Sequence, residues 1–204
     1  MSAGTVIKLI TIPDSEPRGV TFDGKNLWFI GQTNNKIFQI DRNGETISSF
    51  TDPVGVAGGL AFDGKNLWCA DQSDGAIYQV DRLGTVISSF AGPSTRTFGL
   101  AFDGKNLWCV DYDNALICQI DRLGTVISSF NAPGQDPAGL TFDGKNLWHI
   151  DTANQKAYQI NRQGTVITYH TTTGVGPMGI TFDDKNLWYS KTEFGVRIYC
   201  ANRM

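Results

Sequence analysis

An all-β fold built from repeated four-stranded units is predicted by three features of the 204-residue sequence. Tryptophan recurs every 40 residues, at Trp28, Trp68, Trp108, Trp148 and Trp188. The segment FDGKNLW begins at residues 22, 62, 102 and 142 and becomes FDDKNLW at 182. Each unit divides into four short apolar stretches bounded by Gly, Asp or Asn, with no stripe of helical period. Together these features predict a five-bladed β-propeller.

The second unit shows the predicted elements in order. The four strands are GGLAFD (58–63), LWCAD (67–71), AIYQVD (76–81) and TVISSF (85–90). The segments GKN, QSDG and RLG connect them, and their glycines tolerate the positive φ that tight hairpin turns require. Each unit is therefore predicted to be an antiparallel four-stranded meander.

The two ends of the chain complement each other. GTVI at residues 4–7 matches the start of a fourth strand, whereas RIYCANR near the end matches a third strand. We therefore expect the N-terminal strand to pair with the C-terminal blade, so that five equivalent sheets close a ring. The predicted single domain, residues 1–204, has blades at 17–50, 57–90, 97–130, 137–170 and 177–204, the last completed by 4–12. We expect a monomer; the alternative is a two-chain ring of ten blades.

Composition excludes several classes of partner. Seventeen basic against twenty acidic residues give a net charge of −3 and a pI near 5.3, so nothing favours a nucleic acid or an anionic membrane. No apolar run could span a bilayer, and the first residues lack a secretory pattern, so we expect a cytoplasmic protein. Four cysteines without CxxC spacing predict free thiols.

The units differ at one predicted face only. The turns between first and second strands and between third and fourth strands are nearly identical, whereas the other loops vary. Alternate turns of a meander lie on the same side, so the variable loops should share one face. These variable loops hold an excess of acidic residues, which favours a cationic or amine-bearing ligand there.

A candidate binding site follows from one symmetric position on that face. The residue before the glycine of each first strand should face the channel mouth, and it differs in every unit: Arg18, Gly58, Phe98, Ala138 and Met178. Our predicted ligand contacts are Arg18, Phe98 and Met178, together with residues at the ends of second strands, Asp111, Tyr112 and Asp151. The alternative for the position of Arg18 is random sequence drift in exposed loops. The alternative for Asp111 and Asp151 is that their carboxylates cap their own loops.

Metal and cofactor sites are not predicted. The run from Asp111 to Asn114 looks like a calcium loop but lacks the bidentate Glu and the spacing of an EF-hand. Only His149 and His170 could supply imidazole to zinc. The five tryptophans, and the residues that follow them, are assigned to the core between blades.

The unit G-L-x-F-D-G-K-N-L-W-x-x-D…I-Y-Q-I-D-R-x-G-T-V-I resembles the blades of glutamine cyclotransferase-like (plant and bacterial-type glutaminyl cyclase) propellers, and more loosely those of NHL and YncE-like propellers. The resemblance implies five blades and, in true cyclases, conversion of N-terminal glutamine to pyroglutamate with loss of ammonia. In those enzymes an acidic residue follows a second-strand aromatic. The matching residues here are Phe29, Cys69, Cys109, His149 and Tyr189, none of which is acidic.

Three hypotheses about function remain. The first is a non-catalytic propeller whose variable rim binds a small molecule, peptide or protein. The second is a cyclase-like transferase in which Glu16, the rim glutamate nearest the channel, or His149 moves the proton. The third is an amplified or designed repeat protein with no evolved ligand, which the near-identity of the units suggests.

Overall fold

The strands of this protein form five separate antiparallel sheets. The computed structural model describes residues 6–173, 176–191 and 197–202, with side chains described in the first two ranges. Within these residues twenty strands, numbered in chain order, form five four-stranded sheets. Along the four sheets that are continuous in sequence, successive strands are neighbours, as a meander requires.

The strands fall into four layers from the axis outward. The innermost strands are β2 (Pro17–Phe22), β6 (Ala57–Phe62), β10 (Thr97–Phe102), β14 (Pro137–Phe142) and β18 (Pro177–Phe182). The second strands are β3 (Leu27–Gly31), β7 (Leu67–Asp71), β11 (Leu107–Asp111), β15 (Leu147–Asp151) and β19 (Asn186–Lys191). The third strands are β4 (Lys36–Ile40), β8 (Ala76–Val80), β12 (Leu116–Ile120), β16 (Lys156–Ile160) and β20 (Arg197–Asn202). The outer strands are β5 (Thr46–Thr51), β9 (Val86–Ala91), β13 (Val126–Asn131), β17 (Val166–Thr171) and β1 (Val6–Thr11).

The expectation of five equivalent blades is corrected by the topology of the sheets. Four blades are continuous in sequence, and the remaining sheet is a composite of both chain ends in the order β1-β20-β19-β18. The pairing of β1 with β20 is present, with a register shift between Val6 and Lys8. Because β1 is the outer strand, this pairing completes a sheet and does not by itself close a ring. The prediction of a five-bladed closed ring is therefore wrong: four blades are formed from contiguous strands, and the remaining sheet is assembled from two distant segments of the chain.

Close backbone contacts hold the innermost strands together around the axis. A Cβ on Gly19 would meet the backbone nitrogen of Leu60 at 2.7 Å, and a Cβ on Gly59 would meet that of Leu100 at 2.9 Å. A Cβ on Gly179 would meet the Arg18 carbonyl oxygen, because β18 lies against β2. Only glycine allows this approach, so the glycine of every first strand is a packing requirement.

The hydrophobic core lies between neighbouring sheets, as predicted for the tryptophans. Trp108 is 1% exposed and packs with Leu140 and Leu147 of the next sheet. The residues that follow the tryptophans are buried in the same interfaces, and Cys69, Cys109 and Cys118 are buried free thiols. The side chain of Cys200 lies outside the described residues.

The repeated turns carry a polar latch between sheets. The Asp23 carboxylate accepts hydrogen bonds from the indole N–H of Trp28 (2.8 Å) and the side-chain amide of Gln39 (3.1 Å). Arg82 of the next sheet donates to the same carboxylate at 2.9 Å and stacks 4.8 Å above the ring of Phe62 in its own sheet. Corresponding ion pairs join Arg122 to Asp63, Arg162 to Asp103 and Arg42 to Asp183. The FDGKNLW segment is therefore explained by assembly of the scaffold.

This latch keeps its carboxylates ionised. Burial by itself would raise the pKa of Asp23, but hydrogen bonds from Asn26 and Trp28 outweigh it and hold the pKa below its usual value. The pKa values of Asp63, Asp103 and Asp143 are lowered by similar hydrogen bonds against the same opposing burial. Arg203, which occupies the matching position of the last unit, lies outside the described residues.

The fourth blade contains a cavity that the other continuous blades fill. His170 replaces the phenylalanine found at residues 50, 90 and 130, and its register partner Ala157 replaces isoleucine. The small cavity beside them is lined also by Ile180 and Leu187 of the fifth sheet. His170 is 5% exposed, and neither ring nitrogen has a hydrogen-bond partner among the described residues.

Replacing His170 by phenylalanine is expected to raise the free energy of unfolding by about 1 kcal/mol at pH 7, because it fills apolar space and removes unpartnered polar atoms. Burial lowers the pKa of His170, so protons bind the unfolded chain first and the advantage should grow below pH 6.5. Urea unfolding at pH 7 and pH 5 measures both effects. A lower stability than the parent at both pH values would contradict this account.

Candidate functional site at the channel mouth

The variable loops lie together at one end of the sheets, as the meander predicts. In each continuous blade the residue after the second strand donates its backbone N–H to the carbonyl of the residue just before the first strand. The pairs are Gln32 to Glu16 (3.1 Å), Gln72 to Val56 (2.9 Å), Tyr112 to Arg96 (3.0 Å) and Thr152 to Asp136 (2.9 Å). This bonding places the two variable loops of each blade side by side around the axis.

At the level of the first-strand glycines the channel is narrow, because neighbouring backbones approach closely there. Its walls are the glycines of the innermost strands and the residues that follow them, including Gly19, Gly99 and Gly139. At the opposite end the channel opens into a pocket lined by the ends of the same strands, including Thr21 and Phe102. The glycine layer therefore separates the mouth on the variable face from this second pocket.

Two symmetric positions meet at this mouth. The side chains of Phe98 and Tyr112 stack with ring centroids 4.6 Å apart and planes 25° from parallel. A Cβ on Gly58 would collide with the side-chain amide of Gln72, so that amide covers the glycine. The Thr152 hydroxyl lies 4.0 Å from the sulfur of Met178. The residue before the glycine and the residue after the second strand thus form one surface.

Sequence reasoning found part of this surface and missed the rest. Arg18, Phe98 and Met178 are half-buried at the mouth, and Tyr112 stands among them. Gln32, Gln72 and Thr152 occupy the same position as Tyr112 in the other continuous blades and were not predicted. The signal was weaker here, since this position holds three residue types in the five units whereas the Arg18 position holds five. Thr192, its counterpart in the last unit, lies outside the described residues.

Unused hydrogen-bonding groups are concentrated at this mouth. Arg18 Nε, Gln32 Oε1 and Gln72 Nε2 are buried atoms without a partner in the described part of the chain. Each such group is destabilising by about 1–3 kcal/mol when left unsatisfied. Two neighbouring blades therefore hold two donors and one acceptor whose hydrogen bonds are not made within the described residues.

The opposite side of the mouth is aromatic and held in place. The Tyr112 hydroxyl donates to Asp136 at 2.8 Å, and this hydrogen bond, together with burial, raises the pKa of Tyr112. The Arg96 guanidinium lies 4.4 Å from the centroid of the Tyr112 ring and pairs with Asp113 at 2.6 Å. Phe98 is thus backed by a ring whose orientation is fixed from two sides.

Asp111 and Asp151 are placed too deep to contact a ligand. Asp111 is 2% exposed and accepts hydrogen bonds from the backbone and side-chain amides of Asn114. Asp151 is fully buried and accepts backbone N–H groups from Gln135 and Asn154 at 2.6 Å. These contacts match the loop-capping alternative, and the site proposed below omits both residues.

The first blade reaches the same arrangement by another route. Gly31 stands where the aspartate of the following blades would be, and a Cβ there would meet the carboxylate of Asp14. Asp14 is 3% exposed and accepts N–H groups from Glu16 (2.8 Å) and Asn34 (2.9 Å). Because such carboxylates are enclosed by their own loops, the acidic excess of this face does not describe the channel mouth.

The two catalytic candidates do not share a site. Glu16 is exposed in the loop before β2, and its backbone N–H is bonded to Asp14. His149 is fully buried with Nδ1 3.2 Å from the carbonyl oxygen of Gly139. Burial, only partly offset by the charge of Asp151, lowers the pKa of His149 to about 4. His149 is therefore a neutral core residue at pH 7 with no route to a substrate.

The described residues form neither a metal-binding cluster nor a membrane-spanning helix. Among those described, no group of three or more His, Cys, Asp or Glu side chains is arranged to hold a metal ion. The described residues also contain no helix with the length and apolar character needed to cross a bilayer.

The sheets and the channel mouth define a repeat β-propeller, and known structures share this fold. Glutaminyl cyclase from Myxococcus xanthus superimposes with a TM-score of 0.81 at 12% identity, covering 99% of this chain and 98% of that one. Regucalcin from Agrobacterium tumefaciens, a calcium-binding protein, gives 0.62 at 12% identity, covering 100% and 96%. Inactive virginiamycin B lyase from Staphylococcus aureus with quinupristin gives 0.59 at 21% identity, covering 94% and 68%. No family model and no curated protein matches the sequence.

Proposed function

We propose that this protein is a non-catalytic binding module whose ligand sits at the channel mouth of the variable face. One observation carries the proposal. A scaffold that repeats its turns and tryptophans in every unit, and its latch at four joints between sheets, places different side chains at one symmetric position of the channel mouth. Partly buried Arg18, Phe98 and Met178 there have the mixed apolar and polar character of a ligand site.

The burial of the candidate catalytic positions supports binding over catalysis. Phe29, Cys69, Cys109 and His149, which follow the tryptophans, are each fully buried. None of them is acidic, and a substrate could reach them only if neighbouring sheets separated. The likeness to glutaminyl cyclase is a likeness of fold at 12% identity, so it adds no catalytic residue.

A fragment screen by thermal shift tests this proposal. Compounds that bind the folded state raise the melting temperature, with about 2.7 kcal/mol of added stability at one hundred times Kd. We expect hits whose Kd rises at least about tenfold in Phe98→Ala, because this change removes the central aromatic surface of the mouth. Ammonia release from a Gln-initiated peptide, measured in parallel, should not exceed background.

The matched control is Leu83→Ala. Leu83 is 84% exposed in a turn at the opposite end of the sheets, so its removal should leave every hit unchanged. The proposal is wrong if no compound stabilises the protein, if hits bind Phe98→Ala as tightly as the parent, or if ammonia is released enzymatically.

A further inference from the structure

We propose that the channel mouth selects a small ligand that carries a carboxylate beside an apolar or aromatic group. This inference rests on the proposed binding function and deepens it. It follows from the state of Arg18 compared with the other described arginines, and from what surrounds it at the mouth.

Arg18 differs from every other arginine whose side chain is described. Arg42, Arg82, Arg96, Arg122 and Arg162 each form an ion pair with an aspartate. Arg18 forms none within the described residues, and its buried Nε donates to no acceptor there. A guanidinium remains protonated throughout the physiological range, so Arg18 carries a positive charge that no described carboxylate pairs with.

A second donor lies on the neighbouring blade. Gln72 Nε2 is buried and unpartnered, and its side chain covers Gly58, the counterpart of Arg18 in the second blade. β2 and β6 are adjacent at the axis, where Gly19 and Leu60 approach closely. Two donors from adjacent blades suit the two oxygens of one carboxylate, and charge assistance strengthens such bonds.

Gln32 fits the same ligand from the Arg18 side. Its unpartnered Oε1 can accept an N–H from the ligand. If the amide is flipped, Nε2 takes the place of Oε1 and can donate to the ligand instead. Either orientation is compatible with a carboxylate bound to Arg18, since amide groups adapt to donors and acceptors alike.

The apolar part of the ligand is accommodated on both sides of these donors. Met178 precedes Gly179, whose backbone lies against the Arg18 carbonyl, and its thioether lies 4.0 Å from the Thr152 hydroxyl of the fourth blade. Phe98 follows on the far side of the second blade, because a Cβ on Gly59 would contact the backbone nitrogen of Leu100. The rings of Phe98 and Tyr112 offer a stacking surface for an aromatic or flat apolar group.

The acidic side chains of this face do not compete for Arg18. Asp14, Asp111 and Asp151 are at most 3% exposed, and backbone N–H groups of their own loops satisfy them. A ligand amine would find no free carboxylate in these three residues and would be repelled by the guanidinium. The Arg18 guanidinium therefore favours an anionic group on the ligand.

Three probes of matched shape test the inference: phenylacetate, phenylacetamide and phenethylamine, titrated by calorimetry and by NMR shift perturbation. We expect phenylacetate to bind at least about tenfold more tightly than the amide, with the amine weakest. In Arg18→Gln the phenylacetate affinity should fall at least about tenfold while that of the amide hardly changes. Higher salt should weaken phenylacetate binding and leave the amide unaffected.

The control variant is Lys36→Gln, which removes one exposed positive charge from the same end of the sheets. It should leave the preference for phenylacetate intact, and equal melting temperatures should show that both variants are folded. Tightest binding by the amine or the amide overturns the carboxylate preference but leaves the proposed function standing. The preference is equally overturned if Arg18→Gln and Lys36→Gln have the same effect, or if no probe binds while screening hits still depend on Phe98.

Discussion

Replacing Trp108 by alanine is expected to lower the free energy of unfolding by about 3–5 kcal/mol. The indole is 1% exposed between the third and fourth sheets and packs with Leu140 and Leu147. Its N–H donates to Asp103 at 2.9 Å, and its ring lies 6.0 Å from that of Phe130. The change therefore opens a cavity and removes one member of a latch at the same time. Urea unfolding of parent and variant measures the loss.

A conservative variant separates the two contributions. Trp108→Phe retains most of the buried surface and removes only the donor to Asp103, so its loss should be distinctly smaller. Leu83→Ala, at an exposed position, should change stability by no more than about 0.5 kcal/mol. A Trp108→Ala loss as small as that of Leu83→Ala would mean that sheet-to-sheet packing does not hold this fold together.

Replacing His149 by phenylalanine, the residue at the matching position 29, is expected to remove much of the acid sensitivity of the parent. The folded-state pKa of His149 is about 4, because the ring is fully buried, against about 6.5 when unfolded. As the pH falls through this window, protons bind the unfolded chain first and stabilise it. The histidine should therefore lower the free energy of unfolding by roughly 3 kcal/mol between pH 7 and pH 4.

The measurement is the difference between parent and His149→Phe across a pH series of urea unfolding curves. Taking the difference cancels the aspartates, whose own titrations are common to both proteins. His170→Phe serves as a comparison, since burial lowers the pKa of that histidine in the same direction. A constant difference from pH 7 to pH 4 would show that His149 is not buried as a neutral ring.

The period of the sequence was enough to predict the strands, their meander and the core role of Trp108, because a fixed repeat shows directly which residues share an environment. It was also enough to place the variable loops on one face. The equivalence of all sheets was wrong, since the composite sheet is made from β1 and from strands at the other end of the chain. The four continuous blades are the part to which the repeat applies directly.

Side chains at the mouth were harder to predict for a physical reason. Whether Asp151 faces a ligand or its own loop depends on which backbone N–H groups the loop turns inward, and no residue pattern records this. The first blade shows the same limit. Its position 31 is a glycine, and the carboxylate of Asp14 occupies the place that the aspartate side chain takes in the following blades. Gln32 and Gln72 were missed because a glutamine in a variable loop is unremarkable until its amide is found buried and unpartnered.

The latch of Asp23, Arg82 and Phe62 indicates that the contacts that join the sheets and the side chains of the channel mouth lie at opposite ends of the molecule. The described latch contacts between sheets all lie at the end remote from Arg18 and Phe98. Mutations at the channel mouth thus leave the latch contacts unchanged, so the binding specificity can change without loss of the packing between sheets. For the same reason, new binding residues can be introduced by design at the channel mouth while the latch contacts hold the sheets together.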